Sequence, residues 1–216
     1  MTVRIINLIV VVVFMSFFDD NKTLGTALIV LGAVQFILGV VALVGAVTDG
    51  IDGPTAVAAI GPIIVAILYF AFGMKIRNGE MTNKLDILAY FVRLAGIGMI
   101  INAVFSLWNS YEDSGLGAAL GGIILTIIIA LIIMFLAGRI NDGKKDTLDK
   151  VIWIALVVLF ALAALANIFS LIGTLIGITF SLTYLANLII VIANIIIDIF
   201  MLCLLFNKDV KEGMNM

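Results

Sequence analysis

The chain has 216 residues, of which 64% are apolar and 12% charged, and its mean hydropathy is +1.31. A soluble domain of this length carries about a quarter of its residues as Asp, Glu, Lys and Arg, so the composition points to a membrane protein. A net charge of −2 argues against a nucleic-acid partner. The chain has no histidine and a single cysteine, Cys203. An intrachain disulfide and every metal, haem or hydrolytic centre built on imidazole are thereby excluded. No P-loop or Gly-x-Ser-x-Gly run occurs either, so the sequence predicts no catalytic residue, no metal ligand, no cofactor and no enzyme.

A bilayer core about 30 Å thick needs about 20 apolar helical residues. The first apolar run, 5–18, has 14 residues and covers only about 21 Å. We read it as a short spanning helix; an interfacial helix and a signal sequence are the alternatives, and the segment from Phe14 to Phe18 lacks a small-x-small cleavage site. Longer runs follow at 24–48, 53–74, 85–108, 116–138, 151–172 and 182–206. Asp86 and Arg93 interrupt the third of these and Asp198 the last. The 47 residues 151–197 carry no charge and must fold back on themselves, with Gly173, Thr174 and Gly177 marking the turn.

The expected fold is all-α: one polytopic, integral membrane helix bundle of seven transmembrane helices, or six if 5–18 does not cross. It is built as tandem hairpins 1–48, 53–108 and 116–172 with a terminal helix 182–206 and a short cytoplasmic tail 207–216. Lys and Arg collect in cytoplasmic loops, and ten of the twelve basic residues fall on one side of this layout. The opposite loops hold Asp49, Asp52, Glu112 and Asp113. The C-terminus and basic loops are therefore expected in the cytoplasm, the N-terminus outside for seven spans, and the cell membrane as the location. Trp108 and Tyr111 suit the outer headgroup level and Trp153 the inner one.

Self-comparison aligns 63–79 with 127–143 at an offset of 64, including Lys75-Ile-Arg-Asn-Gly79 against Arg139-Ile-Asn-Asp-Gly143. The same offset pairs Phe105-Ser-Leu107 with Phe169-Ser-Leu171, and Asp19 to Leu24 reads as a degenerate earlier copy. Internal repeats are common in transport folds, but apolar helices also align with one another by composition alone. The Pro-x-Asp/Glu-x-x-Lys/Arg signature of mitochondrial carriers is absent, and the only prolines are Pro54 and Pro62.

Charged residues inside spans cost about 2.5–3.5 kcal/mol on insertion scales and face a partner or water. Arg93 and Asp198 each lie eight residues from the cytoplasmic end of their run, about 12 Å deep. Equal depth and opposite sign predict an ion pair between them. Tyr184, Asn187, Asn194 and Asp198 share one stripe of the last span, and Asp86, Tyr90 and Arg93 one stripe of 85–108. The candidate intramembrane polar site is thus Arg93, Asp198, Asn194, Asn187, Tyr90 and Tyr184; the competing reading makes the same groups packing contacts that fix helix register. Gln35, Asn102 and Asn167 are expected to make interhelical hydrogen bonds. Gly25, Gly32 and Gly39 recur every seven residues, and Gly117 and Gly121 form a GxxxG. Both are helix-packing seams for an internal neighbour or a second chain.

Two functions fit. One is transport or permeation of an ion, proton or small solute through a polar path between 85–108 and 182–206. The other is a non-catalytic scaffold or accessory subunit. The expected partners are the lipid bilayer and either further copies of the chain, as a homo-oligomer, or other membrane subunits.

Overall fold

A computed structural model describes residues 20–48, 53–176 and 182–216. Among them lie seven helices and no strand: α1 (Asn21–Thr48), α2 (Gly53–Arg77), α3 (Lys84–Phe105), α4 (Leu107–Ile140), α5 (Thr147–Ile176), α6 (Leu182–Phe206) and α7 (Lys208–Gly213). The first six are long and apolar enough to cross a membrane, as the six longer runs predict. Run 5–18, the acidic turn at 49–52 and Gly177 lie outside the described residues.

The helices overrun their charge-free stretches because their ends are capped by polar side chains. Asn83 accepts the amide protons of Leu85 (2.9 Å) and Asp86 (3.4 Å) at the start of α3. Asp146 accepts those of Leu148 and Asp149 at the start of α5, while Asp149 accepts the amide of Asp146 in return at 2.9 Å. This reciprocal box satisfies amides that a helix start leaves open. At the far end of α2, Gly79 adopts φ +77° and the amide of Glu80 bonds back to the Lys75 carbonyl at 2.9 Å. Gly143 repeats the positive φ after α4, a backbone state that glycine tolerates and that ends helices.

The turns 78–83 and 141–146, the start of α1 and the short helix α7 share one end of the bundle, called here the basic pole after Lys75, Arg77 and Lys84 beside the first turn and Lys144 and Lys145 in the second. Asn21 Nδ2 donates to the Thr82 carbonyl at 3.1 Å, Asn141 Nδ2 to Asp86 at 3.0 Å and Trp153 Nε1 to the Leu205 carbonyl at 2.8 Å. The fully buried side chains concentrate beneath this pole, among them Leu24, Phe72, Ile76, Leu88, Phe200 and Leu204. The opposite ends spread: α4 and α5 scarcely touch, and Ile176 at the end of α5 is 81% exposed.

The spanning helices pack as consecutive pairs except across α4 and α5, and α1 also packs on α6. The tightest approach is α1 on α2. A Cβ added at Gly25 would stand 2.8 Å from the Gly73 carbonyl oxygen, and one at Gly32 2.6 Å from that of Ala66. The Gly25, Gly32 and Gly39 seam therefore serves an internal neighbour. Gly117 and Gly121 have open space around them and make no such contact among the described residues.

Two local readings change. Gly173 and Thr174 do not form a turn; α5 runs on to Ile176, with the Thr174 hydroxyl donating to the Ser170 carbonyl. The outer connection after α3 is helical rather than a loop, breaking at Ser106 and again at Gly115, where φ is +78°. The tail 207–216 carries the short helix α7. Asn207 caps α7, Val210 and Met214 are buried in the core, and Gly213 lies against Leu85 of α3.

Candidate functional site

Two carboxylates are buried among the described residues, Asp149 (2% exposed) and Asp198 (8% exposed). Burying an ion is expensive unless it is paired and hydrogen-bonded. Asp149 meets that condition at the basic pole. The Arg139 guanidinium reaches Asp142 at 2.7 Å, Asp146 at 2.7 Å and Asp149 at 3.3 Å, so one cation ties the end of α4 to the cap of α5. Burial alone would raise the Asp146 carboxyl. The hydrogen bond from Arg139 and those from the Leu148 and Asp149 amides prevail and hold it below the usual carboxylate value.

Asp198 has no such cation among the described residues. It sits on α6, and its Oδ2 accepts from Asn167 Nδ2 of α5 at 2.8 Å. No further donor to this carboxylate is found among the described residues. The Tyr69 ring of α2 stands against Phe91 of α3, and Phe91 against Phe160 of α5. An aromatic chain thus links α2, α3 and α5. Along α6, Asn187 is exposed, Tyr184 and Asn194 are half-buried and Asp198 is buried. From Asn187 onward the stripe predicted from spacing grades from open to closed toward the acid.

Arg93 lies elsewhere. Its side chain is exposed and lines a cavity of about 350 Å³ with Glu80, Asp86, Tyr90 and Asn141, between the start of α3 and the end of α4. No ion pair joins it to Asp198 or to any other described residue. The expected Arg93–Asp198 pair is not formed. α3 and α6 barely touch, and equal depth does not place two residues on facing sides of their helices. Tyr90 does share the Arg93 cavity, stacked on Phe72 at 4.7 Å with the Lys75 ammonium 6.0 Å from its ring. The six predicted residues thus divide into an α6 group around Asp198 and an α3 group around Arg93.

Asn167 is the site residue whose role the stripe analysis missed. It stood as a lone polar residue awaiting an interhelical bond, and it makes one, but to the deep acid itself. The available signal was the hairpin: 151–197 is free of charge, so an amide in its first arm and an acid just beyond its second are each short of partners. Asn102, also expected to bond between helices, instead lines a groove of about 600 Å³ at the other pole with Ser106, Ser110, Ser114 and Thr126. No protein-family model, curated protein or solved structure matches the chain.

Proposed function

We propose that the chain is a membrane protein that moves a proton, ion or small polar solute across the bilayer, with Asp198 as the group that takes it up. The contrast between the two buried acids carries this reading. Asp149 is neutralised by arginine, as a structural carboxylate should be, whereas Asp198 is held by one amide and meets no cation among the described residues. An acid inside a helical bundle without a fixed counter-ion marks a proton or cation pathway by default. The exposed-to-buried gradient from Asn187 through Asn194 to Asp198 supports entry from the pole opposite the basic one. In this reading the basic pole faces the cytoplasm, in keeping with the positive-inside rule, and the cell membrane is the site of action.

The chemistry needed is small. A carboxylate binds a proton or a cation, and Asn167 orients it by donating to one oxygen while the other does the binding. Three hairpin copies fit the same picture, since α1, α3 and α5 begin at residues 21, 84 and 147, a constant interval of 63. Gly79 and Gly143 also end α2 and α4 in the same backbone state.

A scaffold or accessory subunit is the second reading, favoured by one specific observation. α4 exposes Leu116, Leu120, Ile124 and Phe135 to the outside, and Gly117 and Gly121 stand open on it. A second copy or another membrane subunit would close that seam. Liposomes holding the purified chain separate the readings: a transporter dissipates an imposed proton or cation gradient faster than empty liposomes, and a scaffold leaves it intact.

A further inference from the structure

The Arg93 cavity sits apart from Asp198 and has its own charge order. Asp86, Tyr90 and Arg93 follow one another at i, i+4 and i+7 on α3, so they share a face that rises about 10 Å from the basic pole into the bundle. Arg93 is the innermost group. In a helix the Cα–Cβ bonds tilt toward the N-terminus, which for α3 is the basic pole, so the Arg93 side chain leans back over Tyr90 and Ala89 into the cavity they line. The negative groups stand nearer the basic pole: Glu80 in the 78–83 turn and Asp86 in the first turn of α3. Asp86 Oδ1 is held by Asn141, which leaves Oδ2 available. The cavity therefore carries its positive group about 10 Å further along α3 than its negative ones, has a volume of about 350 Å³ that lies in the range of small-ligand sites, and holds an arginine with no carboxylate partner among the described residues.

A simple anion would gain from Arg93 and lose to Glu80 and Asp86, and a simple cation the reverse. A zwitterion satisfies both ends, with its anionic group inward on the guanidinium, where arginine bonds phosphate in bidentate fashion, and its ammonium outward between the carboxylates. Head groups of bilayer lipids are ordered the same way, phosphate toward the hydrocarbon and amine toward water. We propose that this cavity binds a phosphoethanolamine zwitterion, phosphate on Arg93 and primary ammonium on Asp86 and Glu80. The inference rests on the membrane placement proposed above and not on transport through Asp198.

The test uses the purified full chain in mild detergent. It is titrated with short-chain phosphatidylethanolamine, phosphatidylcholine and phosphatidylglycerol, and with water-soluble O-phosphoethanolamine, and bound ligand is read by native mass spectrometry alongside thermal stability. Phosphatidylethanolamine should occupy the protein at least fivefold more tightly than the other two lipids, because a quaternary ammonium cannot hydrogen-bond the carboxylates and a glycerol head carries no cation. Arg93→Gln should abolish this preference and Arg93→Lys keep part of it. Asp86→Asn should bring phosphatidylcholine level with phosphatidylethanolamine. Equal occupancy by all three lipids in the wild type overturns the proposal without any variant, as does an unchanged preference in a folded Arg93→Gln protein. Displacement of the lipid by O-phosphoethanolamine identifies a free solute as the source of the zwitterion, and failure to displace it identifies the lipid head group. A chain that dissipates no gradient in liposomes yet shows the preference loses the transport reading and keeps this one.

Discussion

Replacing Gly32 by alanine is a direct trial of how α1 and α2 are held together. The new Cβ would stand 2.6 Å from the Ala66 carbonyl oxygen, 2.7 Å from the Phe70 amide nitrogen and 2.9 Å from Phe70 Cβ. Two of these neighbours are backbone atoms, which cannot swing away. Ordinary contact begins near 3.4 Å, so the helices must part by roughly 0.8 Å along the seam, an overpacking that costs about 1–3 kcal/mol. Alanine returns about 0.5–1 kcal/mol through its better helix propensity. Gly121→Ala on α4 receives the same return with nothing in its way, because no atom lies within 4 Å of a Cβ there. The propensity gain cancels between the two variants, so Gly32→Ala should be less stable than Gly121→Ala by the overpacking cost of about 1–3 kcal/mol. Reversible unfolding of the full chain in mixed SDS micelles, followed by far-ultraviolet circular dichroism, measures the difference. Equal stability of the two variants would refute the close α1–α2 approach. A Gly121→Ala protein that loses an oligomer present in the wild type would favour the scaffold reading.

The Arg139 cluster predicts a pH response. Asp146 is held below the ordinary 3.8 in the folded chain, so its contribution to stability is complete above that value and is lost as the pH falls through the lower folded one. Melting temperature should therefore drop on acidification below about pH 4, and Arg139→Gln should flatten the drop; a slope unaffected by that change would show that the cluster does not couple α4 to α5. Val210→Asp should dislodge α7, since Val210 is fully buried and burying an aliphatic side chain contributes about 1.5–3 kcal/mol. Faster proteolysis after Phe206 in that variant is the expected sign, and wild-type resistance would place α7 outside the core.

What could be seen from the sequence follows the physics of each feature. Hydropathy located the six long helices because each needs a charge-free stretch near 20 residues. It undershot their ends because helices continue into polar caps such as Asn83 and Asp146, which a hydropathy window counts as loop. The heptad Gly25, Gly32 and Gly39 was visible as a seam, but spacing alone did not choose α2 as its partner. Depth along a helix was equally visible for Arg93 and Asp198, whereas the angle around the axis was not, so the predicted pair dissolved into two separate sites. Six residues at 208–213 are too short for a periodic signal, although Val210 and Met214, one turn apart, face the core together.

The measurement closest to the central claim is proton and cation flux into liposomes reconstituted with the wild type, Asp198→Asn and Asn167→Ala, all verified as folded. Uptake by Asp198 predicts flux in the wild type, its loss in Asp198→Asn and a reduced flux in Asn167→Ala, where the acid persists but loses its orienting donor. Equal flux in wild type and Asp198→Asn, or none from a folded wild type, would contradict the account and leave Asp198 as a packing group.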